Sequence, residues 1–180
     1  MVETRPLQLA RLKTVELAIP GNDPWGVAPK DPATAVMTDF HERSAVTVSE
    51  YAPIDRALEH MRHAGVRSAF AIDERMRRVV GMVTAYDIMG EKPFRQIEMI
   101  DGSQSETWRE DVLVRDVMEK VGDWMVLTMA DVERATVGSV LATFKETGRT
   151  HIAVVETSAD QGERLRGLFS AARIKRLVER

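Results

Sequence analysis

With 180 residues, 44% of them hydrophobic, the chain can bury a sizeable core as one domain or as two small ones, and it is not a disordered protein. Its 25 basic and 28 acidic residues leave a formal charge of −3, which gives no whole-chain attraction to nucleic acid or to an acidic membrane. Cysteine is absent, and that excludes disulfides, thiolate chemistry and zinc–thiolate sites. The first 18 residues intersperse Glu3, Arg5, Arg11, Lys13 and Glu16 among apolar ones, and no later segment approaches a membrane span, so the expected location is cytoplasmic.

Residues 1–33 contain Pro6, Pro20, Gly21, Pro24, Gly26, Pro29 and Pro32. Beyond a short helix at Leu7–Val15 they read as an extended arm, pinned to the body by the ring of Trp25. From Thr34 the character changes. Ala35-Val36-Met37 reads as a short helix or turn and Ala45-Val46-Thr47-Val48 as a strand. In Pro53–Ala64 the apolar Ile54, Ala57, Leu58, Met61 and Ala64 recur at helical spacing, with proline in the first turn and Gly65 at the C-terminal stop. Ser68–Ile72 and Val79–Val83 then read as two strands joined by a charged hairpin at Asp73–Arg77.

The second of these strands ends in Gly81-Met82-Val83-Thr84-Ala85-Tyr86-Asp87-Ile88-Met89, a strand that turns abruptly into a helix. Thr84 suits the N-cap, because its oxygen can accept from the amide of Asp87. Amides at a helix start attract phosphate, whereas an Asp one turn on would repel it and suits a pair of neutral hydroxyls such as a ribose 2′- and 3′-OH. Thr-x-x-Asp is equally a variant of the ordinary capping box, so the pattern alone leaves both readings open.

Residues 91–111, with Lys92-Pro93 and Asp101-Gly102-Ser103-Gln104-Ser105, read as a linker that holds a short helix at Phe94–Ile100 and a tether in Trp108. The second half then repeats the first. Val117-Met118 answers Val36-Met37, and the helix with Val137, Val140, Leu141, Phe144 and Gly148 answers the one with Ile54, Ala57, Leu58, Met61 and Gly65. Ile152–Glu156 answers Ala69–Asp73 at the same offset, 83 residues, and Gly167–Ile174 answers Gly81–Ile88 at 86, the difference falling in a longer hairpin at 157–164.

Two tandem strand–helix–strand–strand–helix units, over roughly residues 34–90 and 112–180, resemble a pair of CBS domains, the Bateman module. The fold class this implies is α/β (α+β): two tandem β-α-β-β-α repeats related by pseudo-two-fold symmetry, with small sheets packed on helices. The family binds adenosyl ligands (AMP, ADP, ATP or S-adenosylmethionine) in clefts between the repeats, and requires no further cofactor. Carried onto this sequence, its glycine–hydroxyl–carboxylate run falls on Gly81, Thr84 and Asp87, with Thr84 near phosphate or ribose and Asp87 on the ribose hydroxyls. Its base-contacting strand falls on Ala69 and Phe70. Phe70 stands where proline is usual, and its ring either stacks on a base or fills the pocket. Met37 and Thr38 fall where residues line the cleft. In the second copy Ser170 keeps the hydroxyl but Arg173 replaces the ribose carboxylate, and a guanidinium accepts no hydrogen bond. Arg173 is then either a phosphate partner or a solvated charge, and one nucleotide site per chain is expected, not two. His151, matching Ser68, either reaches a phosphate across the cleft or is a polar residue at a strand edge.

His60 and His63 lie one turn apart, a spacing that can hold a metal, but no third ligand accompanies them and a solvated helix face is the alternative. Arg62, Arg67, Arg75, Arg77 and Arg78 make the first repeat locally basic without the interleaved aromatics of an RNA surface. No nucleophile elbow or P-loop is present, so no enzyme is expected. The expectation is a regulatory module that senses an adenine nucleotide and assembles as a homodimer through its helices. The competing expectation is a docking module that regulates a partner protein with its cleft empty.

Overall fold

The apolar face of Pro53–Ala64 becomes helix α1 (Ile54–His63), which buries Ile54, Ala57 and Met61 and carries Asp55 in its first turn and His60, Arg62 and His63 in its last, matching the helix dipole at both ends. Gly65, at φ 67°, stops it in the left-handed region. The structure is a computed structural model and describes residues 26–93, 111–158 and 162–178. Residues 1–25 of the expected arm, with the helix at 7–15 and Trp25, lie outside the described residues, as do positions 94–110 of the expected linker with its short helix and Trp108.

Two four-stranded sheets result. The first runs β2 (Thr47–Ser49), β3 (Ser68–Asp73), β4 (Arg78–Thr84), β5 (Glu119–Lys120), and the second runs β1 (Thr38–Asp39), β8 (Gly162–Ser170), β7 (His151–Ser158), β6 (Leu127–Thr128). The β2–β3 and β6–β7 pairs are parallel and the others antiparallel. Among the described residues the remaining helices are α2 (Ala85–Met89), α3 (Val114–Val117), α4 (Met129–Arg134), α5 (Val137–Thr147) and α6 (Ala171–Val178), with 3₁₀ turns at Ala33–Val36 and Val121–Asp123.

The fold is the mixed α/β arrangement of small sheets and helices expected from the repeat, and the pseudo-symmetry extends to its irregularities. Both long hairpins shift register at equivalent places, Ala71/Ile72 and Val154/Val155. Gly65 and Gly148, at φ 67° and 65°, stop equivalent helices.

Each half also lends a strand to the other. β1, early in the chain, pairs with β8, Thr38 opposite Leu168, while β5 pairs with β4, Glu119 opposite Met82. The lead-in segments cross in the same way, Ala33 N–H donating to Ala135 O at 3.0 Å and Val114 N–H to Ala52 O at 2.9 Å. The crossing strands need glycine beneath them. A Cβ on Gly81 would stand 2.5 Å from Met118 Sδ and 2.7 Å from Glu119 O, and one on Gly167 would stand 2.7 Å from Met37 Sδ and 2.9 Å from Thr38 O.

The crossing also redistributes the core. Val27, Ala33, Val36 and Met37 are buried with Val132, Val137, Val140, Phe144, Ile152, Val154, Phe169 and Ile174 of the second half. Val112, Val114 and Val117 are buried with Ile54, Ala57, Met61, Ala69, Val83 and Ile88 of the first. A third cluster, Phe70, Met82 and Leu168, with Phe40 and Trp124 against it, joins the two sheets. Phe70 meets Phe40 edge-on at 5.5 Å and Trp124 at 6.0 Å between ring centroids.

Candidate functional site

β4 delivers Thr84 to the start of α2, where the local sequence closes a capping box. Thr84 Oγ1 accepts from Asp87 N–H at 3.2 Å, and Asp87 Oδ2 accepts from Thr84 N–H at 2.8 Å. The hydroxyl of Thr84 also donates to the same Oδ2 at 2.7 Å. The other oxygen, Oδ1, accepts from Lys92 Nζ at 2.5 Å, and Nζ donates in addition to Val117 O at 3.2 Å. The carboxylate is thus held rigidly, its side chain 16% exposed.

This corner opens on a cleft of about 340 Å³ between the two halves. Met82, Thr84, Tyr86, Asp87 and Lys92 form one wall, Glu119 of the crossing strand β5 stands at the seam, and Gly148–His151 form the opposite wall. A volume of this size suits a small molecule, since such sites run from about 300 to 1,000 Å³. Arg149 is committed to its own wall, donating to Glu119 Oε1 at 2.5 Å and to Asp123 O at 3.1 Å. His151 is largely buried, one ring nitrogen lying 3.1 Å from the Thr150 hydroxyl. Burial pushes its pKa below the ordinary 6.5, and the charges of Asp87 and Glu119 offset this only in part.

A histidine with a lowered folded-state pKa binds its proton more readily when unfolded. Its contribution to stability is present above about pH 6.5 and is lost as pH falls through that value toward the folded pKa. The thermal midpoint should therefore drop between about pH 7.5 and pH 5, and His151→Gln should make that drop shallower. Identical slopes for the two proteins would count against a neutral, buried His151.

Thr84, Asp87 and His151 come together in this cleft, from opposite halves of the chain. The other expected residues stand elsewhere. Gly81 lies under β5, Ala69 is buried in the first core, and Phe70, 3% exposed, fills the contact between the sheets rather than lining the cleft. Met37 is buried over Gly167. On the pseudo-symmetric side Arg173 donates to the Thr38 hydroxyl at 2.9 Å, and Ser170 faces His151 across the β7–β8 ladder. Arg173 is partly buried, and burial first, then Arg43 and Arg176, lowers its pKa. Nearby, Arg166 bridges Asp39 to Glu156, with its Nε 3.1 Å from Glu156 Oε2, and His41 Nε2 sits 3.1 Å from Glu156 Oε1. The Arg166 guanidinium holds the Asp39 carboxyl below the usual carboxylate range.

Sequence reasoning missed Lys92, Glu119 and Arg149. Glu119 follows Met118 as Thr38 follows Met37, so the repeat alignment itself could have found it. The motif is also less specific than the place it occupies. Thr128 and Asp131 also make a Thr-x-x-Asp cap, at the start of α4, 2.6 Å between Oγ1 and Oδ2, with both side chains exposed. Among the described residues no three His, Asp or Glu side chains converge as a metal ion would need, and His60 and His63 are exposed. Nor, among the described residues, is any helix long and apolar enough to cross a membrane.

The family described as CBS domain matches residues 33–93. Among solved structures the chain is similar to the CBS-pair protein CBSX2 from Arabidopsis thaliana in complex with AMP, at 20% identity and TM-score 0.53, covering 82% of this chain and 94% of that one. It is similar to the CBS domain pair of protein MJ0100 in complex with 5′-methylthioadenosine and S-adenosyl-L-methionine, at 17% identity and TM-score 0.53, covering 83% and 96%. The CBS domain of a bacterial CNNM/CorC family Mg2+ transporter in complex with ATP aligns at 15% identity and TM-score 0.54, covering 83% and 87%. No curated protein matches the sequence significantly. Residues 33–93 match the CBS-domain family, and the described residues have the fold of a tandem CBS-domain pair.

Proposed function

We propose that the protein is a non-catalytic regulatory module that binds an adenine nucleotide or related adenosyl ligand, AMP, ADP, ATP or S-adenosylmethionine, in the cleft between its repeats. The observation that carries this reading is the fixed carboxylate of Asp87, turned into a cleft of about 340 Å³ that His151 of the other half helps to line. Asp87 takes the ribose hydroxyls, Thr84 stands near ribose or phosphate, and His151 faces them. AMP, ATP and S-adenosylmethionine in the similar CBS structures support the ligand class. The arginine at position 173, bonded to Thr38, favours one occupied cleft per chain. Assembly as a cytoplasmic homodimer through the helices completes the proposal, and the exposed Tyr86 and Met89 on α2 suit such a contact.

A ligand that spans the cleft touches β4, β5 and the start of β7 together. It shifts the relative packing of the halves only by the difference in its affinity for the two arrangements. Calorimetric titration with AMP, ADP, ATP and S-adenosylmethionine tests the reading. Saturable binding of at least one of them near one per chain is expected, and heats of dilution alone for all four would overturn it in favour of a docking module with an empty cleft.

A further inference from the structure

The Asp87 carboxylate offers about four lone-pair positions, and the structure fills three of them. Oδ2 accepts from both the amide and the hydroxyl of Thr84, and Oδ1 accepts from Lys92. A vicinal diol brings two donors. Only one position remains for it while Lys92 is in place, so a ribose that engages Asp87 through both hydroxyls has to displace the ammonium.

Lys92 is the cation able to move. Its side chain is 52% exposed, on a flexible four-carbon stem, and two of its three donors are engaged, by Asp87 and by Val117 O. Arg149, the other cation lining the cleft, is pinned at both ends of its guanidinium by Glu119 and Asp123 O. Of the two negative charges in the lining, Asp87 is given over to the ribose and Glu119 is already paired with Arg149. A displaced Lys92 is therefore left facing the cleft without an anion unless the ligand brings one.

We infer that Lys92 is an exchangeable counter-ion. It sits on Asp87 in the empty cleft, yields the carboxylate to the ribose when ligand enters, and takes the ligand's phosphate in return. This deepens the proposed nucleotide reading and rests on it. The cleft then selects a phosphorylated nucleoside over the neutral nucleoside, which displaces Lys92 without compensating it, and over S-adenosylmethionine, whose single carboxylate is outweighed by its sulfonium and ammonium charges. A bland surface ion pair at the same place predicts none of this, because removing Lys92 would then leave the ratio between ligands unchanged.

The test is calorimetric titration of the intact chain, Lys92→Met and Lys92→Gln with AMP, adenosine and S-adenosylmethionine, with circular dichroism to show that the variants fold. In the unsubstituted protein AMP is expected to bind at least about tenfold tighter than adenosine, consistent with one charge-assisted contact. Both variants should reduce that ratio to near one, with adenosine and S-adenosylmethionine binding as well as before or better. Raising the salt concentration should erode the AMP preference of the unsubstituted protein and leave the variants unaffected. An AMP-to-adenosine ratio that is the same in all three proteins, or a parallel loss of both ligands in the variants, overturns the exchange while the nucleotide site stands. Failure of every ligand to bind any of the proteins overturns the nucleotide reading, and the exchange with it.

Discussion

Asp87→Ala is expected to weaken AMP binding about 100-fold, as measured by calorimetric titration. Two hydroxyl donors to a charged acceptor contribute about 3 kcal/mol together, and at room temperature that is about two factors of ten in affinity. The same substitution opens the capping box at the start of α2, a loss of about 1 kcal/mol in stability, because Thr84 N–H loses its acceptor. The two effects separate with Thr84→Ala, which removes the N-cap oxygen but leaves the carboxylate in the cleft. Thr84→Ala should lower the thermal midpoint about as much as Asp87→Ala while weakening AMP far less. Equal affinities for Asp87→Ala and the unsubstituted chain would remove Asp87 from the site.

A chain that starts at His41 is expected to lose the packing of its second half and keep that of its first. The deleted stretch carries β1 and the buried Val27, Ala33, Val36 and Met37, all of which sit in the core built by residues from 132 onward. At about 1.5–3 kcal/mol for each large side chain, an upper estimate, their removal forfeits about 5 kcal/mol or more. A domain has only about 5–15 kcal/mol in total. The first core keeps its borrowed residues, Val112, Val114 and Val117, because these lie later in the chain. Amide hydrogen exchange should therefore accelerate across β7, β8 and α6 and change little across α1, β3 and β4. Full protection of β7 and β8 in the shortened chain would contradict this.

Much of the architecture was legible in the sequence for physical reasons. Ile54, Ala57 and Met61 mark a helix because they recur at its period, and glycine at 65 and 148 marks where two helices stop. Four such features in the same order, at offsets from 117 − 36 = 81 to 167 − 81 = 86 residues, identify a repeat where none would alone. The crossing of β1 and β5 was not legible. Each is two residues long, Thr38-Asp39 and Glu119-Lys120, too short to show any alternation. Its one trace is a pair of glycines, 81 and 167, whose missing Cβ makes room for the strand above. Phe70 could be read as ring stack or as filler because composition does not tell which face of a strand meets the other sheet; Phe40 and Trp124 close around it. Asp87 and His151 were found through the repeat, whereas Lys92 was not, since it lies beyond the motif and reaches back to it across one irregular turn.

The crossing of strands also sets an order on synthesis. Asp39 leaves the ribosome long before Arg166, 127 residues later, with which it pairs. Until then β1 and the apolar turn before it have no sheet to join, and Val36 and Met37 stay exposed to water and to other chains. Contacts of such long sequence separation form late, because the intervening loop must first be closed. This early segment is thus seated late, and a stalled or prematurely ended chain presents an unpaired strand with nothing of its own to cover it.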